Sequence, residues 1–230
     1  HDIARLGQVF TPEAVVRRML ALRRNAGRVL EPSCGDGAFA RHLPGCTAIE
    51  VDARHCPPGA LHQDFFAYPE SEKFATIIGN PPYVRYQDIP ETTRAWLPTE
   101  HFDGRSNLYL FFIEKCLRHL EPGGELIFIT PRDFLKATSA VNLNRLLYEA
   151  GTITDFIELG DARIFEGATP NCAIWRFERG NFSRRTRYDA GEGSEDRHFL
   201  YAGGHLAFTH ADYTVPLADL FSVKVGAVSG

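Results

Sequence analysis

Four consecutive residues provide the groups needed to hold a flat amine: Asn80, Pro81, Pro82 and Tyr83. The apolar run 74–79 before them predicts a buried strand, and the two prolines end that strand and stiffen the chain beyond it. The Asn80 amide oxygen and the Pro81 carbonyl can accept the two hydrogens of an exocyclic NH₂ group, and Tyr83 can stack on its plane. A strand-ending turn beside a core tyrosine is the ordinary alternative, so the rest of the chain must decide.

A glycine-rich turn lies between a predicted strand and a predicted helix. Gly35, Gly37 and Ala40 satisfy the loose Gly-x-Gly-x-x-Gly/Ala pattern, in which glycines let the backbone approach a ligand closely. Glu50 ends the next predicted strand, where an acidic residue accepts hydrogen bonds from ribose hydroxyls. Asp64 follows, placed to accept from an adenine amino group. Together these residues predict a nucleoside pocket, for either a dinucleotide or an adenosyl compound.

A predicted amphipathic helix precedes this turn. Thr11 is suited to cap it, Pro12 to occupy its first position, and Glu13 to interact with its positive end. The unpaired N–H groups at such a helix start could hold a ligand carboxylate.

The elements that must position these residues alternate along the chain. Strands are predicted at 47–52, 74–79, 125–130, 153–159 and 171–177, and helices at 106–120 and 139–150. This alternation indicates a doubly wound α/β sheet. The polar segment 85–106 has no clear period, and a loop of that length is unusual unless it serves a site.

The composition is that of an ordinary soluble protein, with 230 residues, 44% hydrophobic and 23% charged. No apolar stretch approaches the ~20 residues of a membrane helix, so no membrane partner is expected. The five cysteines form no paired pattern, which indicates reduced thiols and a cytoplasmic location. His55, Cys56 and His62 lack a fourth partner with zinc-like spacing, so no metal is expected.

Several motifs occur in a fixed order: Gly7-Gln8-Val9-Phe10-Thr11-Pro12, Leu30-Glu31-Pro32-Ser33-Cys34-Gly35-Asp36-Gly37, Ile49-Glu50-Val51-Asp52, Asp64-Phe65-Phe66, Asn80-Pro81-Pro82-Tyr83, Ser106-Asn107-Leu108-Tyr109 and Pro122-Gly123-Gly124. In this order they resemble the gamma class of amino-methylating DNA methyltransferases, in its N6-adenine branch, over residues 7–178. The resemblance implies a Rossmann-like, seven-stranded mixed sheet with one antiparallel edge strand. It also implies S-adenosyl-L-methionine as methyl donor and a flipped adenine in duplex DNA as acceptor.

The resemblance further implies roles for individual residues. Thr11 would lie near the methionine carboxylate of the cofactor, and Glu31 and Gly35 near its methionine moiety. Pro32 and Gly37 share that cofactor-binding motif. Glu50 would bind the ribose, Asp64 the adenine amine and Phe65 the cofactor ring. The catalytic set would be Asn80, Pro81, Pro82 and Tyr83, with Asn80 also beside the cofactor and with Tyr83 and Phe165 stacking on the target base.

The class also has a C-terminal domain that reads the DNA sequence. We therefore expect a catalytic domain over residues 1–178, a connector and domain edge over 179–220, and the start of a truncated target-recognition domain over 221–230. His1 is not a natural start, and the chain ends within a new β-rich pattern, so a portion of a longer protein is expected. The net charge of −4 agrees with a missing DNA-reading part. A fused or separate restriction endonuclease is the expected partner besides DNA.

Three alternatives stay open at this stage. The same four residues could present another planar amine, such as cytosine N4, an RNA base or a release-factor glutamine. A nicotinamide-dependent dehydrogenase would use the glycine-rich turn, but it leaves Asn80 and Tyr83 unexplained. A DNA-binding module without catalysis would need none of the pocket residues.

Overall fold

A computed structural model describes residues 11–98, 102, 106–160 and 171–211. The helices within these ranges are α1 (Glu13–Leu20), α2 (Glu91–Arg94), α3 (Leu108–His119) and α4 (Val141–Ala150). The strands are β1 (Val29–Glu31), β2 (Thr47–Glu50), β3 (Leu61–His62), β4 (Phe74–Gly79), β5 (Leu120–Pro131), β6 (Gly151–Glu158), β7 (Cys172–Arg179), β8 (Arg185–Asp189), β9 (Ser194–Ala202) and β10 (His205–Thr209). Short 3₁₀ turns connect them, including Ala40–His42, Phe65–Ala67 and Tyr86–Asp88.

The described strands form one mixed sheet in the order β10-β9-β8-β6-β7-β5-β4-β1-β2-β3. Strands β3, β2, β1, β4 and β5 are parallel, as expected for strands joined by crossover connections. The doubly wound α/β prediction is confirmed.

Two details of the predicted sheet are wrong. The sheet has ten strands in the described part of the chain, not seven. The antiparallel strand β7 lies between β5 and β6, not at the edge. The first six residues of β7 are buried. A strand whose two faces are both covered and whose two edges are both paired lies in the centre of a sheet, which explains this burial.

The predicted connector contributes three of these strands. In β8, Thr186 and Tyr188 are buried while Arg185 and Arg187 are exposed, which is the alternation of a strand with one wet face. Tyr188 stacks on Phe156 of β6 at a ring distance of 5.6 Å. The predicted connector is therefore an extension of the sheet, with Arg185 and Arg187 on its exposed face. The predicted start of a target-recognition domain, 221–230, lies outside the described residues.

Two apolar clusters cover opposite faces of the sheet. Alternate β5 residues divide between them: Leu126 and Phe128 join the cluster that packs on α3 and α4, whereas Ile127 and Ile129 join the one on α1. A period of two along a central strand, with helices on both sides, produces the three-layer architecture. In the part of the chain that the structure describes, no helix has the length and apolar character needed to span a membrane.

The start of α1 differs from the prediction. Pro12 occupies the N-cap position, and no side chain caps the helix. The Thr11 hydroxyl instead accepts a hydrogen bond from the Asn80 side chain, at 3.3 Å. Thr11 therefore connects the entry of the helix to the motif after β4 rather than to its own helix.

Candidate functional site

The carboxyl ends of three neighbouring parallel strands meet at one edge of the sheet. Glu31 is the last residue of β1, Glu50 is the last of β2, and Asn80 directly follows β4. This edge is where open α/β sheets bind ligands.

A cavity opens at this edge, and the predicted cofactor residues line it with one exception, Gly37. Apolar residues form much of its surface, and Glu31, Glu50 and Asn80 contribute polar groups from the strand ends. Its described lining residues are Thr11, Glu31, Pro32, Ser33, Cys34, Gly35, Asp36, Ala38, Phe39, Glu50, Val51, Gln63, Asp64, Phe65, Phe66, Asn80, Pro82, Val84, Pro90, Thr92, Thr93, Leu108 and Phe112.

The glycine-rich turn is fastened to the neighbouring strand by its backbone. Cys34 N donates to the Ile49 carbonyl at 2.8 Å, and Gly35 N donates to the Glu50 carboxylate at 2.7 Å. Gly37 has a φ of 79°, and a Cβ there would lie 3.3 Å from Pro57. Gly37 therefore allows the conformation of the turn and its close approach to Pro57, without lining the cavity.

Glu50 holds the two sides of this edge together. Besides Gly35 N, its carboxylate accepts from Asp52 N at 2.8 Å, and the residue is 4% exposed. Beside it, the Val51 side chain lines the cavity and is 49% exposed. An apolar side chain left open next to a fixed acceptor suits a ligand that combines a hydroxylated sugar with a flat ring.

Glu31 is a buried carboxyl group with an unusual protonation equilibrium. It accepts from Ala40 N at 2.7 Å and from Phe39 N at 3.4 Å, and it is 1% exposed. Burial raises the pKa of Glu31 to about 8, although these two N–H groups favour the charged form. A cation placed beside Glu31 would stabilise the ionised carboxylate and so lower this pKa.

Asp64 and Phe65 line the cavity from the turn that follows β3. Asp64 caps the turn Phe65–Ala67 by accepting from Phe66 N at 2.9 Å. Beneath it, the buried Lys115 donates to the carbonyls of Phe66 and Tyr68, each at 3.0 Å, and its ammonium lies 5.4 Å from the Phe65 ring centre. Lys115 thus fixes the backbone of the turn that presents the Phe65 ring to the cavity.

Asn80 is oriented from two directions. Its side-chain nitrogen donates to the Thr11 hydroxyl at 3.3 Å, and its carbonyl accepts from the Ser33 hydroxyl at 3.3 Å. These contacts fix both the backbone and the amide plane of Asn80 against the cavity.

The rest of the motif lies beside the cavity. Pro82 lines it, whereas Pro81 is buried and, with Tyr83, is outside the described lining. The Tyr83 hydroxyl donates to the Ile129 carbonyl at 2.9 Å, and its ring meets Tyr109 edge-on at 5.8 Å. Burial raises the pKa of Tyr83 well above its ordinary value, so the hydroxyl is a neutral anchor.

Phe165 and the segment Gly7–Phe10 lie outside the described residues. The predicted stacking role of Phe165 therefore stays a prediction.

Several cavity residues were missed by the sequence interpretation. Leu108 and Phe112 are one helical turn apart on α3, so they share a face, but the pattern could not distinguish a cavity wall from core. Pro90, Thr92 and Thr93 come from the segment 85–106, whose length was the only signal that it serves a site.

Charge is the property that discriminates between ligands. The described lining contains four acids, Glu31, Asp36, Glu50 and Asp64, and no Lys, Arg or His. A dinucleotide would bring a pyrophosphate next to these carboxylates, which is unfavourable. An adenosyl sulfonium compound carries positive charge and several N–H and O–H donors, so the residues fit it.

Cys34 is the cavity residue with a sulfur atom, but it is not an activated nucleophile. Burial raises the pKa of the Cys34 thiol far above its ordinary value, so it stays protonated near neutral pH. Among the described residues, no group of three or more His, Cys, Asp or Glu side chains is arranged to hold a metal ion.

Comparison with known proteins adds independent information. The Eco57I restriction-modification methylase family model matches residues 55–165. The chain is 30% identical to the Type II methyltransferase M.HincII of Haemophilus influenzae over 189 residues, which are 76% of this chain and 38% of that protein. It is 34% identical over 199 residues to the Type II methyltransferase M.TthHB8I of Thermus thermophilus, covering 76% of this chain and 45% of that protein.

Solved structures give the fold. A structure from Listeria monocytogenes, described as a class I S-adenosylmethionine-dependent methyltransferase, matches with a TM-score of 0.58 at 19% identity, over 80% of this chain and 64% of that one. The resemblance to restriction–modification methyltransferases and the class I methyltransferase fold are confirmed. The chain spans less than half the length of the two curated relatives.

Proposed function

We propose that this chain carries the catalytic part of a restriction–modification DNA methyltransferase. The protein transfers a methyl group from S-adenosyl-L-methionine to the N6 amino group of an adenine flipped out of duplex DNA. One observation carries the proposal: Asn80, fixed by Thr11 and Ser33, forms part of the wall of an acid-lined cavity. The names of the relatives support DNA as the substrate, and the charge of the lining supports the cofactor.

The residues of the cavity have distinct tasks in this proposal. Glu31 neutralises the cationic end of the cofactor, next to Thr11 and the glycine-rich turn. Glu50 accepts from the ribose hydroxyls, and Asp64 accepts from the adenine amine against the Phe65 wall. When bound, the cofactor supplies a methyl group on a sulfonium sulfur, open to in-line attack by nitrogen.

Asn80 and Pro81 activate the target amine. Its lone pair is delocalised into the adenine ring, so it is a poor nucleophile. The Asn80 amide oxygen and the Pro81 carbonyl would accept the two N–H hydrogens. These hydrogen bonds would localise the lone pair on nitrogen and orient it toward the methyl group. The same acceptors stabilise the positive charge that develops on nitrogen, and the surplus proton then leaves to solvent. No strong general base is required.

Tyr83 and Phe165 would stack on the extruded base. Base–aromatic stacking contributes about 1–3 kcal/mol per base, which offsets part of the cost of unstacking. The hydroxyl anchor on Ile129 supports this role for Tyr83, since it holds the ring in one orientation.

The acceptor is tested by product analysis. The purified protein is incubated with labelled S-adenosylmethionine and separate pools of DNA, RNA and release factor. We expect label in DNA, and N6-methyladenine after digestion to nucleosides. Label in N4-methylcytosine, RNA or a release-factor glutamine would instead support the alternative planar amines.

The role of Asn80 is tested by Asn80→Ala. We expect methyl transfer to fall by about 10²-fold or more, because the acceptor that acts on the developing charge is lost. Cofactor binding, measured by calorimetry, should survive. The matched control is Asn181→Ala, in a turn after β7 that the cavity does not include. Lost cofactor affinity with methyl transfer intact would contradict the assignment.

A further inference from the structure

Thr93 makes a direct contact with one of the acids of the cavity. Its hydroxyl donates to Asp64 Oδ2 at 2.5 Å, across 29 residues of sequence. Asp64 Oδ1 accepts from Phe66 N at 2.9 Å. The two oxygens of one carboxylate are therefore held by two different elements, the turn after β3 and helix α2.

The segment that presents Thr93 is a folded unit. Ile89 and Leu97 are 2% and 7% exposed and belong to the core that packs on α3. Arg94 donates to the Ile89 carbonyl at 2.8 Å, and its guanidinium lies 5.4 Å from the Tyr86 ring centre. Thr93 itself is 9% exposed. Its hydroxyl is thus positioned by buried packing on both sides.

Hydrogen-bond chemistry gives this contact a consequence. A carboxylate only accepts, and each of its oxygens can take more than one donor. With its plane fixed by Thr93 and Phe66 N, Asp64 offers its remaining lone pairs in a set direction. A ring with an exocyclic amine can donate to them, whereas a ring with a carbonyl there would bring oxygen against oxygen.

We propose that Thr93 is a positioning residue that determines ring specificity in the cofactor cavity. By holding Asp64, it makes the cavity select a purine with an exocyclic amine over one with a carbonyl at the same position. This inference rests on the proposed function, in which Asp64 accepts from the adenine amine of the cofactor.

Calorimetry with two product analogues separates this role from general stability. S-adenosylhomocysteine carries the amine, and S-inosylhomocysteine carries a carbonyl in its place. Their dissociation constants are measured on the purified protein without DNA, so no catalysis is involved. The readout is the ratio of the two affinities, which a purely structural defect would leave unchanged because it weakens both ligands together.

Four variants give the expected pattern. Thr93→Val lowers S-adenosylhomocysteine affinity about tenfold and S-inosylhomocysteine affinity much less, because one hydrogen bond to a charged group is lost. Thr93→Ser restores the ratio to within about twofold, since it keeps the hydroxyl. The matched control Thr138→Val, at an exposed threonine outside the cavity lining, leaves the ratio unchanged. Asp64→Asn shifts the preference toward the carbonyl ring, because its amide can donate.

The outcomes distinguish the levels of inference. A ratio unchanged in Thr93→Val, or not restored in Thr93→Ser, overturns the role of Thr93. If Thr93→Val does not fold, Thr93→Ala gives the same test with less bulk. A ratio unchanged in Asp64→Asn removes the Asp64 assignment and the Thr93 inference with it. DNA methylation is judged separately by the nucleoside analysis above.

Discussion

Two buried glutamates lie near the amino and carboxyl ends of the parallel strands, and they differ in the groups that surround their carboxylates. Glu125, on β5, lies near the amino ends of the parallel strands and is 0% exposed. It contacts the guanidinium of Arg176 at 2.7 Å. Glu31, at the carboxyl end of β1, is 1% exposed and accepts hydrogen bonds from the backbone N–H groups of Phe39 and Ala40. The two carboxyl groups are equally buried, but Glu125 has a cationic partner and Glu31 has two backbone N–H donors.

Glu125 is the centre of a closed network. Besides Arg176, its carboxylate accepts from the backbone N–H groups of Arg24 and Asn25 and from the Thr76 hydroxyl. The Arg24 side chain continues the network to Asp155 at 2.7 Å. These contacts fasten the chain between α1 and β1 to the sheet. A carboxylate satisfied from every side has a structural task.

Glu31 is the carboxyl group that the proposed function assigns to the cofactor. It lines the cavity, burial raises its pKa, and in the proposed function a cationic ligand supplies the compensating charge. The contrast teaches that burial alone does not identify a site. A buried carboxyl group indicates a site when its compensating charge comes from a ligand, and a structural role when that charge comes from the protein.

The largest expected effect comes from breaking the closed network. Arg176→Met leaves Glu125 buried without its cation, so we expect the free energy of unfolding to fall by about 3–5 kcal/mol. Denaturant titration measures it. Cofactor affinity in the folded protein should change little, because the network lies at the other end of the sheet.

A double variant that also neutralises Glu125 is the control for that experiment. In this double variant Arg176→Met is combined with Glu125→Gln rather than with Leu, because the amide oxygen still accepts from Arg24 N, Asn25 N and the Thr76 hydroxyl. Both charges are removed, so part of the lost stability should be recovered. A loss below about 1 kcal/mol in Arg176→Met would mean that the pair contributes no more than an exposed ion pair.

A smaller effect is expected from the protonation of Glu31. Its pKa is about 8 in the folded protein and 4.5 in the ordinary state, so the folded form binds more protons between these values. The cofactor-free protein should therefore lose stability as pH rises from 4.5 to about 8. Chemical denaturation across that range measures the slope, and Glu31→Gln should remove this contribution.

Cofactor binding tests the same group from the ligand side. In the proposed assignment, Glu31 ionises beside the cationic methionine moiety, so binding near neutral pH releases a proton. Calorimetry in two buffers of different ionisation enthalpy counts it, with Glu31→Gln as the control that should release none. Equal proton release in both proteins would show that another group titrates.

The smallest loss of stability is expected at Tyr83. Its hydroxyl holds the side chain in place, and its ring is the surface proposed to stack on the target base. Tyr83→Phe removes the hydrogen bond to the Ile129 carbonyl and should cost about 1 kcal/mol of unfolding free energy. Tyr83→Ala also removes the ring, so methyl transfer should fall further, by the equivalent of about 1–3 kcal/mol of stacking. Equal methyl-transfer rates in the two variants would contradict stacking by Tyr83.

Strong local signals predicted much of the fold and site. Strand β4 has the predicted bounds, because an apolar run ends at Asn80 and two prolines. Glu50 was predicted because an acid at the end of the strand after a glycine-rich turn is a local pattern, whereas the role of Glu31 came from the family resemblance. The insertion of β7 between β5 and β6, and the extension by β8–β10, were not predicted, since strand order depends on pairing between distant segments.

The sequence by itself determined the kinds of groups available: a stiff motif at Asn80, a glycine-rich turn, and acids after successive strands. Each follows from a residue and its immediate neighbours. Only the tertiary structure decided which groups act together. It turned Thr11 from a helix cap into a partner of Asn80, placed Thr93 on Asp64, and separated the compensated Glu125 from Glu31. Those outcomes depend on which buried charges and hydroxyls meet across the fold, and no local pattern encodes that.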